Sequence, residues 1–93
     1  MARLSTGEIA TRLGTLPGWT LEGAAIVKTF RCAGFAAAIG LVDKVAAIAE
    51  AADHHPDILV RYDRVTLTLS THSAGGLTER DFALAAEIET VAP

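Results

Sequence analysis

The chain has 93 residues, of which 51% are apolar and 20% are charged, and its formal net charge at pH 7 is −3. This length supports one hydrophobic core and leaves no room for a second, so residues 1–93 are predicted to form a single domain. An acidic chain of this kind offers no basic stripe to a phosphate backbone, which disfavours direct nucleic-acid binding.

Compartment and membrane association are predicted from the cysteine count and from the apolar runs. Cys32 is the only cysteine and the first residues do not resemble a signal sequence, so we expect a reducing, cytoplasmic environment. Asp43 and Lys44 interrupt the longest apolar run well below the ~20 residues that cross a bilayer. No membrane association is therefore predicted.

The first elements in chain order are a helix and a hairpin. Ser5 and Glu8 have the spacing of a capping box, so a helix is predicted to begin near Thr6. A Pro-Gly pair ends this region, and residues 19–21 and 25–31 then have the pattern of two short strands around a Glu-Gly turn. The sequence therefore predicts a helix followed by a β-hairpin.

Residues 34–53 are predicted to form a long, alanine-rich helix with two apolar stripes. One stripe comprises Phe35, Ile39, Val42, Ala46 and Ala49, and the other comprises Ala38, Leu41, Val45, Ile48 and Ala52. Together they are wider than one face of a small sheet can cover, which predicts burial against another subunit in a homodimer or homotetramer. Pro56 ends the helix because it has no amide hydrogen to donate.

The last third of the chain predicts two more strands and a helix. Residues 58–62 and 65–71 alternate between apolar and polar side chains, like paired strands joined by a turn at Asp63-Arg64. Thr78 and Asp81 form a second capping box at the start of the last helix. The order α-β-β-α-β-β-α predicts an α+β fold, a four-stranded antiparallel sheet with helices packed on one face.

Two of the three histidines, His54 and His55, follow one another at the predicted end of the long helix. Glu50 lies one turn before His54, so we expect the two side chains to share a face. Glu50 is then either a solvated helix residue or the acceptor of a hydrogen bond from His54, and the sequence allows both. His72 comes directly after the last predicted strand. Imidazoles beside a carboxylate indicate proton transfer near neutral pH, although helix ends also attract histidines through their free carbonyls.

A metal site is the competing interpretation, because histidine and carboxylate side chains bind zinc and iron. Adjacent histidines at a helix end point in different directions, and Cys32 is far from them in sequence. No pair of histidines has the spacing His-x3-His. A metal site is therefore not predicted.

For four further residues, a structural role is the first interpretation. Trp19 and Tyr62 are expected to pack in the core or at an interface, with a wall of the site as the second interpretation. Asp81 is explained by helix capping and Arg80 by surface solvation. We therefore assign neither Arg80 nor Asp81 a catalytic role from the sequence.

Taken together, these residues resemble the signature of the pterin-4a-carbinolamine dehydratase family. The matching pattern is Glu50, three residues, His54-His55-Pro56, five residues, Tyr62, nine residues, His72, eight residues and Asp81. Leu16-Pro17-Gly18-Trp19 and Leu77-Thr78-Glu79-Arg80-Asp81 add weaker likenesses, so the resemblance covers nearly the whole chain.

The resemblance implies a hydro-lyase that removes water from 4a-hydroxytetrahydrobiopterin during tetrahydrobiopterin recycling, with no metal and no organic cofactor. It implies that His54 and His72 act as acid and base, that His55 holds the pterin and that Glu50 assists them. The further pterin contacts that we expect come from Trp19, Asp53, Pro56, Ser70, Thr71 and Ser73. A non-catalytic binding or regulatory module, acting through its oligomer interface, is the alternative.

Overall fold

The computed structural model describes residues 2–93 as three α-helices and one four-stranded antiparallel sheet. The elements are α1 (Thr6–Leu13), β1 (Thr20–Glu22), β2 (Ala25–Arg31), α2 (Phe35–Ala52), β3 (Asp57–Arg61), β4 (Arg64–Leu69) and α3 (Glu79–Val91), with a short 3-10 turn over His72–Ala74. This is the predicted order, so the predicted α+β fold is confirmed.

The largest departures from the predicted boundaries lie around β4. The turn before it falls at Tyr62 and Asp63, one position earlier than predicted, and Tyr62 has a left-handed backbone with a φ of 52°. The strand ends at Leu69, because Thr71 instead forms an isolated bridge with Gly76. This bridge closes a small loop that carries His72.

The sheet has the strand order β1-β2-β4-β3, and its two faces differ in polarity. One face packs against the helices through buried apolar residues that alternate along the two central strands, namely Ile26, Phe30, Val65, Leu67 and Leu69. The other face carries threonines and arginines, and the hydroxyls of Thr29 and Thr66 lie 2.8 Å apart across two strands. The alternation of side chains along each strand produces this difference.

Both predicted capping boxes are present. Ser5 accepts a hydrogen bond from the amide of Glu8, and Thr78 and Asp81 form the equivalent pair at the start of α3. Arg12 of α1 also binds Glu79, and this hydrogen bond lowers the pKa of the Glu79 carboxyl. The first turn of α3 is therefore held by its own cap and is also contacted at its exposed side by α1.

The long helix α2 has one buried face and one apolar face in solvent. The residues that it buries are Ala38, Leu41, Val45 and Ala49. By contrast, Phe35 and Ile39 remain 53% and 38% exposed. None of the helices in residues 2–93 is long and apolar enough to cross a membrane.

The central sheet provides a direct test of the core. Leu67 on β4 is fully buried, whereas Leu59 on β3 is exposed on the opposite face. Leu67→Ala should lower the free energy of unfolding by about 2–5 kcal/mol because it leaves a cavity, and Leu59→Ala should change it by about 0.5 kcal/mol. Urea unfolding followed by circular dichroism, at one protein concentration, measures both. Equal losses would contradict the described packing.

Candidate active site

The site begins at the C-terminal end of α2, where the chain turns sharply. Asp53 caps the helix in a left-handed conformation, with φ 50° and ψ 43°. The amide of Asp53 donates to the carbonyl of Glu50, and the amide of His54 donates to the carbonyl of Ala49 at 3.2 Å. Aspartate is one of the few residues besides glycine that adopt this conformation, and these backbone hydrogen bonds help to hold the turn in place.

The turn directs His54 into the protein, where its imidazole meets a buried carboxylate. The Nε2 atom of His54 lies 2.6 Å from Oδ1 of Asp81, which is the third residue of α3. His54 is only 8% exposed and Asp81 is fully buried. A buried carboxylate without partners would cost several kcal/mol, which makes this contact a strong constraint on both side chains.

Two threonines complete the hydrogen bonding of Asp81. Its Oδ2 atom accepts from the hydroxyl of Thr71 at 2.7 Å and from the backbone amide of Thr78 at 3.0 Å. The two threonine hydroxyls lie 2.9 Å apart, and since the Thr71 hydrogen goes to Asp81, the Thr78 hydroxyl donates to Thr71. Asp81 therefore accepts from three donors.

The direction of these bonds determines which nitrogen of His54 is free. An ionised carboxylate only accepts hydrogen bonds, so the hydrogen in the contact with Asp81 belongs to Nε2 of His54. The other ring nitrogen, Nδ1, is then the atom that can take up or release a proton. This is the arrangement of a histidine prepared for general acid–base chemistry.

His72 is connected to the same carboxylate through the chain. It follows Thr71 directly and begins the 3-10 turn, with its side chain exposed. Because Thr71 is bound to Asp81, the segment that carries His72 is attached to the partner of His54. Asp81 thus binds His54 directly and binds Thr71, the residue before His72.

The predicted contact between Glu50 and His54 is wrong. Glu50 instead pairs with His55, whose Nε2 lies 2.6 Å from Oε2 of Glu50, and both side chains are exposed. The left-handed turn at Asp53 is the reason, because it ends the helical spacing on which the prediction depended and turns His54 inward. His55 then occupies the solvent side, near the last turn of α2.

The two predicted aromatic residues lie in different environments. Trp19 is 4% exposed and packs edge-to-face on Phe30, with ring centroids 6.1 Å apart. These contacts place Trp19 in the core and argue against its predicted role as a substrate-binding residue. Tyr62 is 71% exposed at the turn before β4, so it does not pack in the core of the chain, and its location at an interface stays a prediction.

The remaining predicted pterin contacts surround the histidines in sequence. Asp53 and Ser73 are exposed, and Pro56 and Ser70 are half-buried. Thr71 is buried, and its hydroxyl hydrogen is used by Asp81. The first four remain predicted substrate contacts, whereas the hydroxyl of Thr71 has a structural role.

No metal centre is formed by the side chains of residues 2–93, since no group of three or more His, Cys, Asp and Glu residues is arranged to hold an ion. A groove of about 640 Å³ is present on the open face of the sheet, and none of the histidines lines it. The groove is bounded by Thr29, Leu59, Arg61, Tyr62, Asp63, Arg64 and Thr66. The three histidines thus lie outside this groove.

The sequence interpretation missed the roles of Arg80 and Asp81. Asp81 does cap α3, as predicted, but the same carboxylate also binds His54. Its fixed place in the histidine pattern was the signal that it belongs to the site. Arg80 is half-buried and donates to the carbonyls at the end of α2, and nothing in the local sequence distinguishes it from a solvated arginine.

Comparisons with known proteins identify the family of this chain. Residues 2–91 match the sequence profile of the family described as pterin 4 alpha carbinolamine dehydratase. A relative from Chloroflexus aurantiacus, named as a candidate pterin-4-alpha-carbinolamine dehydratase, is 60% identical over 91 residues, which cover 98% of each chain. A relative with the same name from Nocardia farcinica is 56% identical over 89 residues, covering 96% of this chain and 94% of its own.

Two solved structures resemble the fold. One is a transcriptional coactivator/pterin dehydratase from Brucella melitensis, with a TM-score of 0.93, 38% identity, and coverage of 98% of this chain and 99% of its own. The other is a pterin dehydratase-like protein described as a RuBisCO assembly factor in the alpha-carboxysome, with a TM-score of 0.65, 25% identity, and coverage of 80% and 86%. On the family profile and the sequence identities, this chain belongs to the pterin-4-alpha-carbinolamine dehydratase family.

Proposed function

We propose that this protein is a dehydratase that removes water from 4a-hydroxytetrahydrobiopterin and releases quinonoid dihydrobiopterin, as a step in tetrahydrobiopterin recycling. The observation that carries the proposal is the hydrogen-bonded pair of His54 and Asp81, which stands within the histidine pattern of the family. Family membership supports the substrate class, and the pair supports the type of chemistry.

The reaction needs only proton transfers from the protein. The ring nitrogen beside the hydroxyl-bearing carbon forms a C=N double bond as the C–O bond breaks. A general acid gives a proton to the departing oxygen, which leaves as water, and a general base takes the proton from the ring nitrogen. One proton is delivered and one is recovered, so the net number of protons on the enzyme is unchanged, and proton exchange with water returns the acid and the base to their starting states.

His54 and His72 are the residues that we assign to these two transfers. With Nε2 of His54 committed to Asp81, its Nδ1 is the atom that exchanges a proton with the substrate. The carboxylate of Asp81 stabilises the imidazolium that forms, which favours His54 as the base and leaves His72 as the acid. His55, held by Glu50 on the solvent side, would bind the pterin.

A binding or regulatory module with the same fold is the alternative function. A related fold occurs in a protein described as a RuBisCO assembly factor, so the fold alone does not decide between the two. A module kept only for binding has no need for a buried carboxylate that fixes the tautomer of one histidine. The His54 and Asp81 pair therefore favours the enzyme.

We also propose that the protein is a homodimer or homotetramer associating through the exposed apolar face of α2. That face carries Phe35, Ile39 and Ala46, which lie along one side of the helix and are exposed in the single chain. Exposed apolar surface that is continuous along a helix is uncommon in monomers, and pairing of two such faces would remove it from water.

The first prediction concerns metal independence. Protein treated with a chelator should convert 4a-hydroxytetrahydropterin at the same rate as untreated protein, because the proposed transfers use imidazole and carboxylate groups. Product formation followed by stopped-flow absorbance provides the measurement. Loss of turnover on chelation, with recovery on adding zinc, would mean that the acid–base account is wrong.

The second prediction compares the contributions of the Asp81 and Glu50 carboxylates to kcat. His54→Ala, His72→Ala and Asp81→Asn should each lower kcat, with the histidine changes costing on the order of 10²–10⁴-fold. Glu50→Gln should cost less, because Glu50 holds His55 rather than His54. Steady-state kinetics give the order, and circular dichroism checks that each variant is folded. A larger loss for Glu50→Gln than for Asp81→Asn would reverse the assignment.

The third prediction concerns association. Light scattering should give a mass of two or four times the 9.7 kDa chain. Ala46→Asp should lower that mass, whereas Ala47→Asp should not, because the two exposed alanines point about 100° apart around α2. Both changes replace alanine by aspartate within α2 and so have the same cost in helix propensity. Ala47→Asp is therefore a matched control for Ala46→Asp. A monomeric wild type, or an unchanged mass for both variants, would exclude this interface.

A further inference from the structure

Arg80 connects the two helix ends that form the site. It is the second residue of α3, directly before Asp81, and its side chain is half-buried. Its Nη2 atom donates to the carbonyl of Ala52 at 3.2 Å and to the carbonyl of Asp53 at 2.5 Å. Arg80 therefore reaches from the start of α3 to the last carbonyls of α2.

These carbonyls have no partner within their own helix. The last four carbonyls of an α-helix lack an amide donor, and a cation at that end also interacts favourably with the helix dipole. In α2 the carbonyls of Ala49 and Glu50 receive the amides of His54 and Asp53. Arg80 supplies a donor to the carbonyls of Ala52, the last residue of α2, and of Asp53, its C-cap.

The contact with Asp53 has a particular consequence for His54. The carbonyl of Asp53 and the amide of His54 belong to the same peptide group. Arg80 holds the oxygen of that group, and Ala49 accepts its amide hydrogen at 3.2 Å. Both sides of the peptide plane before His54 are therefore fixed, which stabilises the left-handed turn at Asp53.

The start of α3 fixes the side chain of His54 as well as its backbone. Arg80 holds the backbone before His54, and the next residue, Asp81, holds its ring. Thr78, whose hydroxyl accepts from the amide of Arg80, also donates its own amide to Asp81. One turn of α3 thus sets both the position and the orientation of the imidazole.

We propose that Arg80 is a positioning residue for His54. The proposal rests on the proposed dehydratase function for its kinetic part, but its structural part can be tested without any activity. Without Arg80, the Asp53 turn would relax and Nδ1 of His54 would move relative to the substrate. Small misplacements of a catalytic group cost up to about 10²-fold in rate.

The test compares Arg80→Ala with Arg12→Ala. Arg12 of α1 binds Glu79, the residue before Arg80, so Arg12→Ala removes an arginine that contacts the same turn of α3. Arg80→Ala should lower kcat by about 10- to 100-fold with little change in KM. Arg12→Ala should stay within about twofold of wild type, since an exposed pair contributes little.

Two further measurements separate positioning from general stability. Added guanidinium should restore part of the kcat of Arg80→Ala, and Arg80→Lys should retain intermediate activity because an ammonium can donate to the same carbonyls. In Arg80→Ala the backbone amide of His54 should lose protection from hydrogen exchange, whereas in Arg12→Ala it should keep it. If Arg80→Ala does not fold, Arg80→Lys replaces it in the kinetic and hydrogen-exchange measurements, where a partial loss of kcat and of protection is expected.

The outcomes are distinguishable. If wild type has no dehydratase activity, the proposed function fails, and the exchange of the His54 amide still tests the positioning. Unchanged protection of that amide in a folded Arg80→Ala variant would overturn the proposal. So would a wild-type kcat in Arg80→Ala, or equal effects of the Arg80 and Arg12 substitutions.

Discussion

The buried carboxylate of Asp81 is the constraint on which the rest of the site depends. A fully buried carboxylate must be matched by donors, and the three donors that it receives come from three separate segments of the chain. His54 follows α2, Thr71 follows β4, and Thr78 precedes α3. The cost of leaving this carboxylate unpaired therefore fixes how these segments meet.

The same carboxylate serves the fold and, in the proposed reaction, the chemistry. Asp81 closes the capping box of α3 through the amide of Thr78, and it orients His54 through its other oxygen. Arg80 adds a second connection between the same two helix ends. His54 is consequently held on a rigid support, whereas His55 and His72 remain exposed and accessible to a small molecule. In the proposed elimination, His54 is the fixed proton carrier, His72 is the accessible one, and His55 is the accessible binding group.

The sequence predicted the order of elements because its local signals agree with the final packing. The capping boxes at Ser5 and Thr78, the alternation in β4 and the apolar stripes of α2 each depend on neighbours in sequence. The spacing that resembles the family signature also associates the three histidines with Asp81, although these residues are far apart along the chain.

The partners within the site could not be predicted in the same way. Helical spacing predicts a contact between Glu50 and His54. The left-handed residue Asp53 changes the direction of the chain, so Glu50 forms its hydrogen bond with His55 instead. The contact between Arg80 and Asp53 joins residues that are 27 apart, and no periodicity of the sequence encodes it. The Glu50 contact follows from the local turn at Asp53, and the Arg80 contact follows from tertiary packing.

The most direct measurement is a long-range ¹H–¹⁵N NMR spectrum of the imidazole nitrogens at neutral pH. The account requires that neutral His54 carries its hydrogen on Nε2 and leaves Nδ1 free, because Asp81 accepts from Nε2. In Asp81→Asn this preference should weaken, while the spectrum of His55 stays unchanged. A wild-type His54 with its hydrogen on Nδ1, or a tautomer that does not respond to Asp81→Asn, would contradict the account.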